Sequence, residues 1–311
     1  MTCQEGAMGA CCGPARGPAG TPAGSDSAEV QETVEQLADQ AAQQLQMISL
    51  PGGTFRMGSQ APEAYPEDGE GPVRTVHAAP FGLAASTVTV AEFAAFVLAT
   101  GYRTDAESWG SSLVFAGLLP ARLREASPTV SEAPWWHQVS GADWLHPCGP
   151  GSHRVLTERA DHPVTHISQH DAAAYAQWVG ARLPTEAEWE FAARGGLDQQ
   201  PYPWGSVRNP GGRQLMNTFP GQFPHAPSGP VGTVPASAFP PNAYGLHNMT
   251  GNVWEWTTSR FGPGDPRPVI RGGSYMCHAS YCRRYRTSAR TASTAETSLG
   301  HTGFRLALST S

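Results

Sequence analysis

Apolar side chains recur at three- and four-residue steps in four stretches of this sequence, and such spacing predicts amphipathic helices. Three of the stretches open with a capping box, in which Ser or Thr precedes an acidic residue by three positions. The pairs are Thr89 with Glu92, Ser168 with Asp171, and Thr185 with Glu188. Glycines mark the expected ends of these helices, at Gly101, near Gly180 and at Gly195.

The second capped helix should bury Ala174, Tyr175 and Trp178. The fourth stretch, residues 27–47, predicts a helix with a narrow apolar stripe. Residues 1–26 before it are small, rich in Pro and poor in large apolar side chains, which indicates a flexible leader. We therefore expect one folded domain over residues 48–311.

Strand patterns follow the fourth stretch. Residues 48–58 predict a β-hairpin, and residues 72–81 predict a further strand. From residue 201 onward, Pro and Gly divide the chain into short segments, and the whole sequence contains 35 Gly and 28 Pro. This punctuation favours a mixed α+β fold that is irregular, rich in loops and low in regular secondary structure.

The composition limits the possible functions. A chain of 311 residues that is 40% hydrophobic and contains nine Trp is typical of a soluble globular protein. All 20 basic residues are Arg, which excludes a Schiff-base lysine, a P-loop lysine and a lysine general base. With a net charge of −6 and no basic run, we expect no nucleic-acid partner. No apolar run reaches the length of about 20 residues that spans a bilayer, and the start of the chain lacks a signal-peptide pattern, so we expect a cytoplasmic protein without membrane contact.

Two thiols carry the strongest chemical signal. Cys277 and Cys282 lie in a polar, Arg-rich segment, whereas the remaining cysteines are Cys148 and the leader residues Cys3, Cys11 and Cys12. The pair could form a disulfide or be inert and buried. Nearby arginines (Arg283, Arg284 and Arg286) instead favour thiolates. Two thiolates without further ligands at zinc-finger spacing suit Cu(I) better than zinc.

A second stretch offers oxygen ligands. Between Asn248 and Glu255 the chain supplies an amide oxygen, a carboxylate and backbone carbonyls, the donors that Ca²⁺ prefers. Hydrogen bonds that merely hold the loop would explain the same residues equally well.

Several motifs together resemble the formylglycine-generating enzymes, also called sulfatase-modifying factors. The motifs are GGSYMCHASYCRRYR at residues 272–286, GNVWEW at 251–256, RLPTEAEWE at 182–190 and GFR at 303–305. The resemblance runs from about residue 47 to residue 306 and implies a lectin-like scaffold. Related sulfoxide synthases and ligand-binding modules share several of these motifs, so the fold alone does not determine the function.

The resemblance implies a copper-dependent oxidase. Such an enzyme uses molecular oxygen to convert the cysteine of a Cys-x-Pro-x-Arg segment, in an unfolded sulfatase, into Cα-formylglycine. Cys277 and Cys282 match the thiols that hold Cu(I), and Ser274, Tyr281 and Trp254 match catalytic residues of the pocket. His278 and Arg284 match neighbouring residues that orient the site or the peptide. Asn248, Gly251, Val253 and Glu255 match a structural Ca²⁺ site, with backbone oxygens from the middle two.

The sequence departs from the family pattern in three places. Thr287 and Leu306 stand where members from oxidising compartments have cysteines, which agrees with a cytoplasmic form. We also expect a monomer. At a second calcium site Asn217 and Thr218 remain, but Ser228 replaces the usual carboxylate and should weaken binding. Gln169-His170 replaces a Trp-Asn pair and His301 replaces a pocket Asn, changes that we expect to affect peptide preference.

Two other functions remain open. A sulfoxide synthase would normally have an iron-binding helical domain with clustered His and Glu ahead of this one, and residues 1–47 contain no His. A non-catalytic lectin-like module would use Cys277 and Cys282 as a structural disulfide. The state of these two thiols separates that module from the oxidase.

Overall fold

The computed structural model of the protein describes residues 46–152 and 155–309. In chain order its strands are β1 (Met47–Leu50), β2 (Gly53–Met57), β3 (Arg74–Ala78), β4 (Phe81–Ala84), β5 (Ser111–Phe115), β6 (Thr129–Val130), β7 (Ala133–Ser140), β8 (Trp254–Gly262), β9 (Asp265–Arg271), β10 (Arg290–Ala292), β11 (Thr302–Gly303) and β12 (Ala307–Ser309). Its α-helices are α1 (Val90–Thr100), α2 (Asp105–Trp109), α3 (Ala121–Ala126), α4 (Val155–Glu158), α5 (Gln169–Trp178) and α6 (Glu186–Arg194).

The three predicted capping boxes are confirmed. In α1 the Thr89 hydroxyl accepts the Glu92 N–H, and the Glu92 carboxylate accepts the Thr89 N–H. Reciprocal bonds of the same kind begin α5 and α6. Gly101 and Gly195 end α1 and α6 in the left-handed conformation, with φ of 65° and 55°. Local sequence was sufficient to predict the starts of these helices, because each capping box satisfies N–H groups of the first turn that have no partner within the helix.

The predicted hairpin over residues 48–58 is wrong. β1 pairs with β4, whereas β2 pairs with β3 in a separate two-stranded sheet. Gly52, with φ of +65°, sends the chain from one sheet to the other. A Cβ atom at Gly52 would lie 2.4 Å from the Ala78 carbonyl oxygen, so the backbones approach too closely there for a side chain. The strand predicted over residues 72–81 is likewise divided into β3 and the start of β4.

Strands that are far apart in the sequence pair with one another in the sheets of this domain. The C-terminal strand β12 pairs antiparallel with β4, on the side opposite β1. The largest sheet has the order β10-β9-β8-β11, in which β11 runs parallel to β8. A third sheet consists of β5, β7 and β6. The segment between β9 and β10 carries the thiols, and its Tyr275 and Met276 belong to one buried cluster with Leu113 and Phe115 of β5.

An aromatic core supports this arrangement. Phe93 of α1 contacts four aromatic rings at centroid distances of 5.4 to 6.5 Å, those of Phe96, Trp144, Tyr175 and Phe304. Each fully buried ring of this size stabilises the fold by about 1.5 to 3 kcal/mol. Tyr175 is buried as predicted, but Trp178 is 41% exposed. It is the last residue of α5, and its ring packs on Phe96 from the side.

The fold class is confirmed as mixed and rich in loops. Between α6 and β8 the regular structure consists of one short 3-10 helix, Pro210–Gly212. Among the residues that the structure describes, no helix has the length and apolar character needed to span a bilayer. The predicted leader, residues 1–26, and nearly all of the helix predicted over residues 27–47 lie outside the described residues, and Met47 is already part of β1.

Candidate active site

Two thiols meet in the segment between β9 and β10. The Sγ atoms of Cys277 and Cys282 lie 3.2 Å apart, and each residue is 2% exposed. This separation exceeds the S–S bond length of about 2.05 Å, so the pair is reduced and the predicted alternative of a structural disulfide does not apply to this structure. The predicted alternative of an inert, buried pair is correct about the burial. Whether the thiols are inert depends on the residues around them.

Tight turns bring the two sulfurs together. The Cys277 N–H donates to the Ser274 carbonyl at 2.9 Å, and the N–H groups of Tyr281 and Cys282 both donate to the His278 carbonyl. At the base of the loop, a Cβ atom on Gly273 would lie 2.8 Å from the Arg284 carbonyl oxygen. The two legs of the loop therefore touch through backbone alone, and the positive φ of 72° at Gly273 favours glycine.

Ser274 lies beside the thiols and is completely buried. Its N–H points at the Cys277 Sγ over 3.4 Å, and its Oγ accepts the Met276 N–H at 3.2 Å. The His301 Nδ1 lies 3.0 Å from the same Oγ, within hydrogen-bond distance. The predicted pocket residues Ser274 and His301 are thus joined directly, and the ring of Trp136 packs edge-on against His301 with centroids 4.7 Å apart.

Trp254 and Tyr281 supply polar atoms within an apolar wall. Trp254 belongs to the same buried cluster as the two thiols, and Tyr281 packs against that cluster. The Trp254 Nε1 and the Tyr281 hydroxyl are buried and have no hydrogen-bond partner among the described residues. Phe223 stacks on the Tyr281 ring at 4.4 Å. Both groups can therefore serve a ligand that enters the pocket, because a buried donor without a partner is costly.

His278 lies at the edge of the site rather than inside it. Its Nδ1 accepts the Ser280 N–H at 3.1 Å and lies 2.8 Å from the Ser280 hydroxyl. Burial, and after it the charge of Arg208, lowers the pKa of His278. The lowered pKa favours the neutral imidazole, which can contact a peptide through hydrogen bonds.

Arg284 lies beside one of the thiols. Its Nη1 lies 4.0 Å from the Cys282 Sγ, while its Nε donates to the Asp68 carboxylate at 2.5 Å. The ring of Tyr65 covers the guanidinium at 4.1 Å, and the Tyr65 hydroxyl accepts the Arg283 N–H. Burial raises the pKa of the Asp68 carboxyl to about 6, against the opposing effect of Arg284.

The inference that three arginines favour thiolates needs correction. Arg286 forms a bidentate pair with Glu70, so its charge is compensated, and Arg283 is exposed. Arg284 contacts the Cys282 sulfur, and it shares its charge with Asp68. Sequence analysis missed Asp68 and Glu70 because 216 positions separate them from Arg284 and Arg286. The concentration of arginines after Cys282 was itself a signal that buried carboxylates must come from elsewhere.

The predicted calcium residues lie beneath the thiol loop, where the Gly251 N–H donates to the Gly272 carbonyl at 2.8 Å. Glu255 is 1% exposed, and its carboxylate accepts bonds from Arg305 and from the Trp189 Nε1. The reading as loop-holding hydrogen bonds therefore accounts for Glu255. The Asn248 Oδ1, in contrast, is buried without a partner among the described residues, which fits a cation ligand. Val253 is buried in the same stretch.

The other residues at which the sequence departs from the family pattern lie apart from the thiols or have partners of their own. The Asn217 Nδ2 donates to the Gly232 carbonyl and to Asn252, the Thr218 hydroxyl accepts from Arg208, and Ser228 is exposed. His170 is more than half exposed, and its Nδ1 lies 3.0 Å from Asp105 of α2. Within residues 46–152 and 155–309, no three His, Cys, Asp or Glu side chains converge as a metal site. The protein ligands available at the thiol pair are therefore its two sulfurs.

The sequence and the fold both match known proteins. Residues 31–310 match the family model of the sulfatase-modifying factor enzyme 1-like domain. A formylglycine-generating enzyme of Thermomonospora curvata is 51% identical over 282 residues, which cover 84% of this chain and 92% of that relative. The solved structure of PvdO from Pseudomonas aeruginosa has a TM-score of 0.58 at 24% identity and covers 85% of this chain and 94% of that chain. At that identity the likeness concerns the fold.

Two further relatives bear on the alternative functions. An inactive Cα-formylglycine-generating enzyme 2 of Bos taurus is 44% identical over 273 residues, so overall identity does not separate active from inactive relatives. A hercynine oxygenase of Mycolicibacterium smegmatis is 34% identical over 221 residues, but the match covers only 46% of that protein. The sulfoxide-synthase alternative is therefore a distant one, and the side chains of the pocket must decide the activity.

Proposed function

The chain belongs to the sulfatase-modifying factor family, the family of the formylglycine-generating enzymes, and from this membership we propose the reaction that it catalyses. It is an oxidoreductase that converts a cysteine of a protein substrate into Cα-formylglycine. The substrate is an unfolded sulfatase polypeptide with its cysteine in a Cys-x-Pro-x-Arg segment, and O₂ is the oxidant. The observation that carries the proposal is the pair of reduced, buried thiols 3.2 Å apart.

Cu(I) is the cofactor that suits these residues. Two sulfurs in an apolar pocket form a soft donor set, and Arg284 near the Cys282 Sγ favours the thiolate form that a metal requires. Cys277 and Cys282 would hold the ion, and the substrate cysteine would supply a third sulfur. When bound, copper supplies capture of the substrate thiol and one-electron chemistry with O₂.

The remaining pocket residues hold and shield the reacting groups. The Ser274 hydroxyl, fixed between the Met276 N–H and His301, is positioned to exchange a hydrogen bond with the incoming thiol. The Trp254 Nε1 and the Tyr281 hydroxyl can donate to oxygen atoms in the pocket, since neither has a partner among the described residues. The stacked rings of Phe223 and Tyr281 exclude water from one side.

The overall reaction balances only with a reductant. The substrate Cβ changes from a thiol carbon to an aldehyde carbon, and its sulfur leaves as hydrogen sulfide. One oxygen atom of O₂ enters the aldehyde and the other leaves as water. These changes require two further electrons and two protons, which an added thiol can supply.

We propose that Ca²⁺ binds at Asn248, Glu255 and the carbonyls of Gly251 and Val253 in a structural role. The buried Asn248 Oδ1 without a partner supports this site, although Glu255 already pairs with Arg305. Calcium should raise the thermal midpoint of unfolding, and Asn248→Ala should remove that increase. Equal melting curves with calcium and with a chelator would contradict the assignment. We also propose a cytoplasmic protein, because Thr287 and Leu306 stand where family members from oxidising compartments have cysteines, and we propose that it is a monomer.

Mass spectrometry of a peptide substrate tests the function. A peptide with Cys-x-Pro-x-Arg is incubated with Cu(I)-loaded protein, thiol reductant and air, and conversion should remove about 18 mass units at the cysteine. Cys277→Ser should give no conversion, and Cys148→Ser, which changes a thiol outside the pair, should retain it. An unchanged peptide with copper bound and both thiols reduced would place this chain with the inactive relatives.

A further inference from the structure

Arg208 is a partly buried cation beside the thiol site. Its Nη2 donates to the Thr218 hydroxyl at 2.9 Å, and its guanidinium covers the Tyr285 ring at 4.8 Å. No carboxylate pairs with it among the residues that the structure describes, and its Nε is buried there without a hydrogen-bond partner.

The loop before Arg208 holds the side chain in place. Tyr202 and Gly205 exchange two backbone hydrogen bonds of 3.1 Å each. The ring of Trp204 stacks on Tyr202 with centroids 5.4 Å apart, and the Trp204 Nε1 donates to the Val207 carbonyl at 2.8 Å. Arg208 therefore follows a constrained turn, which reduces the entropy that it would lose on binding a ligand.

Arg208 lines a cleft with a volume of about 210 Å³. Asn209, Gln214, Thr218 and His278 contribute further polar groups to the lining, and none of the lining residues is acidic. Phe219 lines the same cleft, and its N–H donates to the Cys277 carbonyl at 3.0 Å. The cleft is thus connected directly to the segment that holds the thiols.

We propose that the Arg208 cleft binds a carboxylate of the substrate polypeptide, an Asp or Glu side chain close to the cysteine that is oxidised. This inference rests on the proposed function, since it assumes a polypeptide substrate. A carboxylate matches the planar, forked donors of a guanidinium. The neutral side chains around Arg208 add hydrogen bonds without opposing charge. The cleft therefore selects substrates by charge in addition to the Cys-x-Pro-x-Arg segment.

Peptide binding to the metal-free protein tests the inference. The probes are fluorescent peptides in which Ser replaces the reactive Cys, so that neither copper nor turnover affects the measurement. Glu is placed at each position flanking the segment in turn and compared with Gln at the same position by fluorescence anisotropy. At one or more positions Glu should bind about 3- to 10-fold more tightly than Gln, and the difference should shrink at high salt.

Two arginine variants locate the effect. Arg208→Gln should remove the preference for Glu, whereas Arg213→Gln, which removes an exposed charge from the same loop, should retain it. Arg208→Lys keeps the charge without the forked donors and should retain part of the preference. Melting curves show whether each variant is folded.

Equal binding of Glu and Gln peptides at every position, including no binding of either, would overturn the inference. A preference for Glu that persists in Arg208→Gln would also overturn it. If the preference follows Arg208 but the cysteine peptide is never converted, the carboxylate site stands and the proposed oxidase activity fails.

Discussion

The arginines around the thiol loop fall into two groups. Arg284 and Arg286 each meet a carboxylate from the segment between β2 and β3, and both are nearly inaccessible to solvent. Arg208 approaches the same loop with a hydroxyl and an aromatic ring as its partners. A buried arginine with its counter-charge in the same chain holds structure together. One that lacks a counter-charge beside a cleft is available to a ligand, so the two groups predict different responses to mutation.

The largest effect is expected at the thiols that lie among these arginines. Cys282→Ser should lower Cu(I) affinity and turnover by a factor on the order of 1,000 or more, because a hydroxyl is a poor ligand for a soft metal. Competition with a Cu(I) chelator measures the affinity, and the peptide assay measures turnover. Full activity in this variant would count decisively against a site built from two thiolates.

Breaking a compensated pair should destabilise the fold. Glu70 accepts bonds from both Arg286 Nη atoms, from the Ser288 hydroxyl and from the Tyr65 N–H. Glu70→Gln leaves the Arg286 charge buried without its partner and should lower the free energy of unfolding by about 3 to 5 kcal/mol in urea titrations. Asp198→Asn is the matched control, because it breaks the exposed pair with Arg56 and should leave the free energy of unfolding nearly unchanged. Similar losses in both variants would contradict the distinction between the groups.

Asp171 is a buried carboxyl without an arginine partner among the described residues, and it can be compared with Asp68 and Glu70, which have one. Asp171 is fully buried and accepts the Ser168 and Asp105 N–H groups and the Tyr102 hydroxyl, with no cationic partner among the described residues. Burial raises the pKa of Asp171 from 3.8 to about 6. Between these values the folded protein holds a proton that the unfolded chain has released, so the stabilisation is complete below pH 3.8 and is lost as the pH rises through about 6.

The Asp171 contribution to this loss should be on the order of 2 to 3 kcal/mol. Urea titrations between pH 4 and pH 7 give the free energy of unfolding as a function of pH. The contribution of Asp171 is the difference in the slope of that function between the unmodified protein and Asp171→Asn, because the other carboxyls titrate equally in both. Asp198→Asn should keep the slope of the unmodified protein. Parallel curves for the protein and Asp171→Asn would show that Asp171 has an ordinary pKa.

Local signals explain what the sequence could predict. The capping boxes at Thr89, Ser168 and Thr185 lie within four residues, and so do the turns that bring Cys277 and Cys282 together. The hairpin prediction was wrong because the alternation in β1 and β2 is real but the partners of both strands lie elsewhere in the chain. Periodicity identifies a strand and carries no information about which strand it will pair with.

The counter-charges of the site show the same limit. Arginines after Cys282 indicated positive charge near the thiols, and only tertiary structure revealed that Asp68 and Glu70 compensate most of it. Arg208 gave no signal in the sequence, because one arginine in an irregular loop resembles any solvated charge. Arg208 differs from Arg284 and Arg286 because, among the described residues, the fold places no carboxylate beside it.

The smallest effect concerns Tyr65, which links the compensated pairs to the thiol loop. Its hydroxyl accepts the Arg283 N–H at 2.9 Å, and its ring covers Arg284 at 4.1 Å. Tyr65→Phe keeps the ring and removes one hydrogen bond, so the free energy of unfolding should fall by about 0.5 to 1.5 kcal/mol. Tyr65→Ala also removes the cation–π contact and exposes Arg284, which should reduce Cu(I) affinity through a less constrained Cys282. Equal Cu(I) affinity in both variants would restrict Tyr65 to a role in stability.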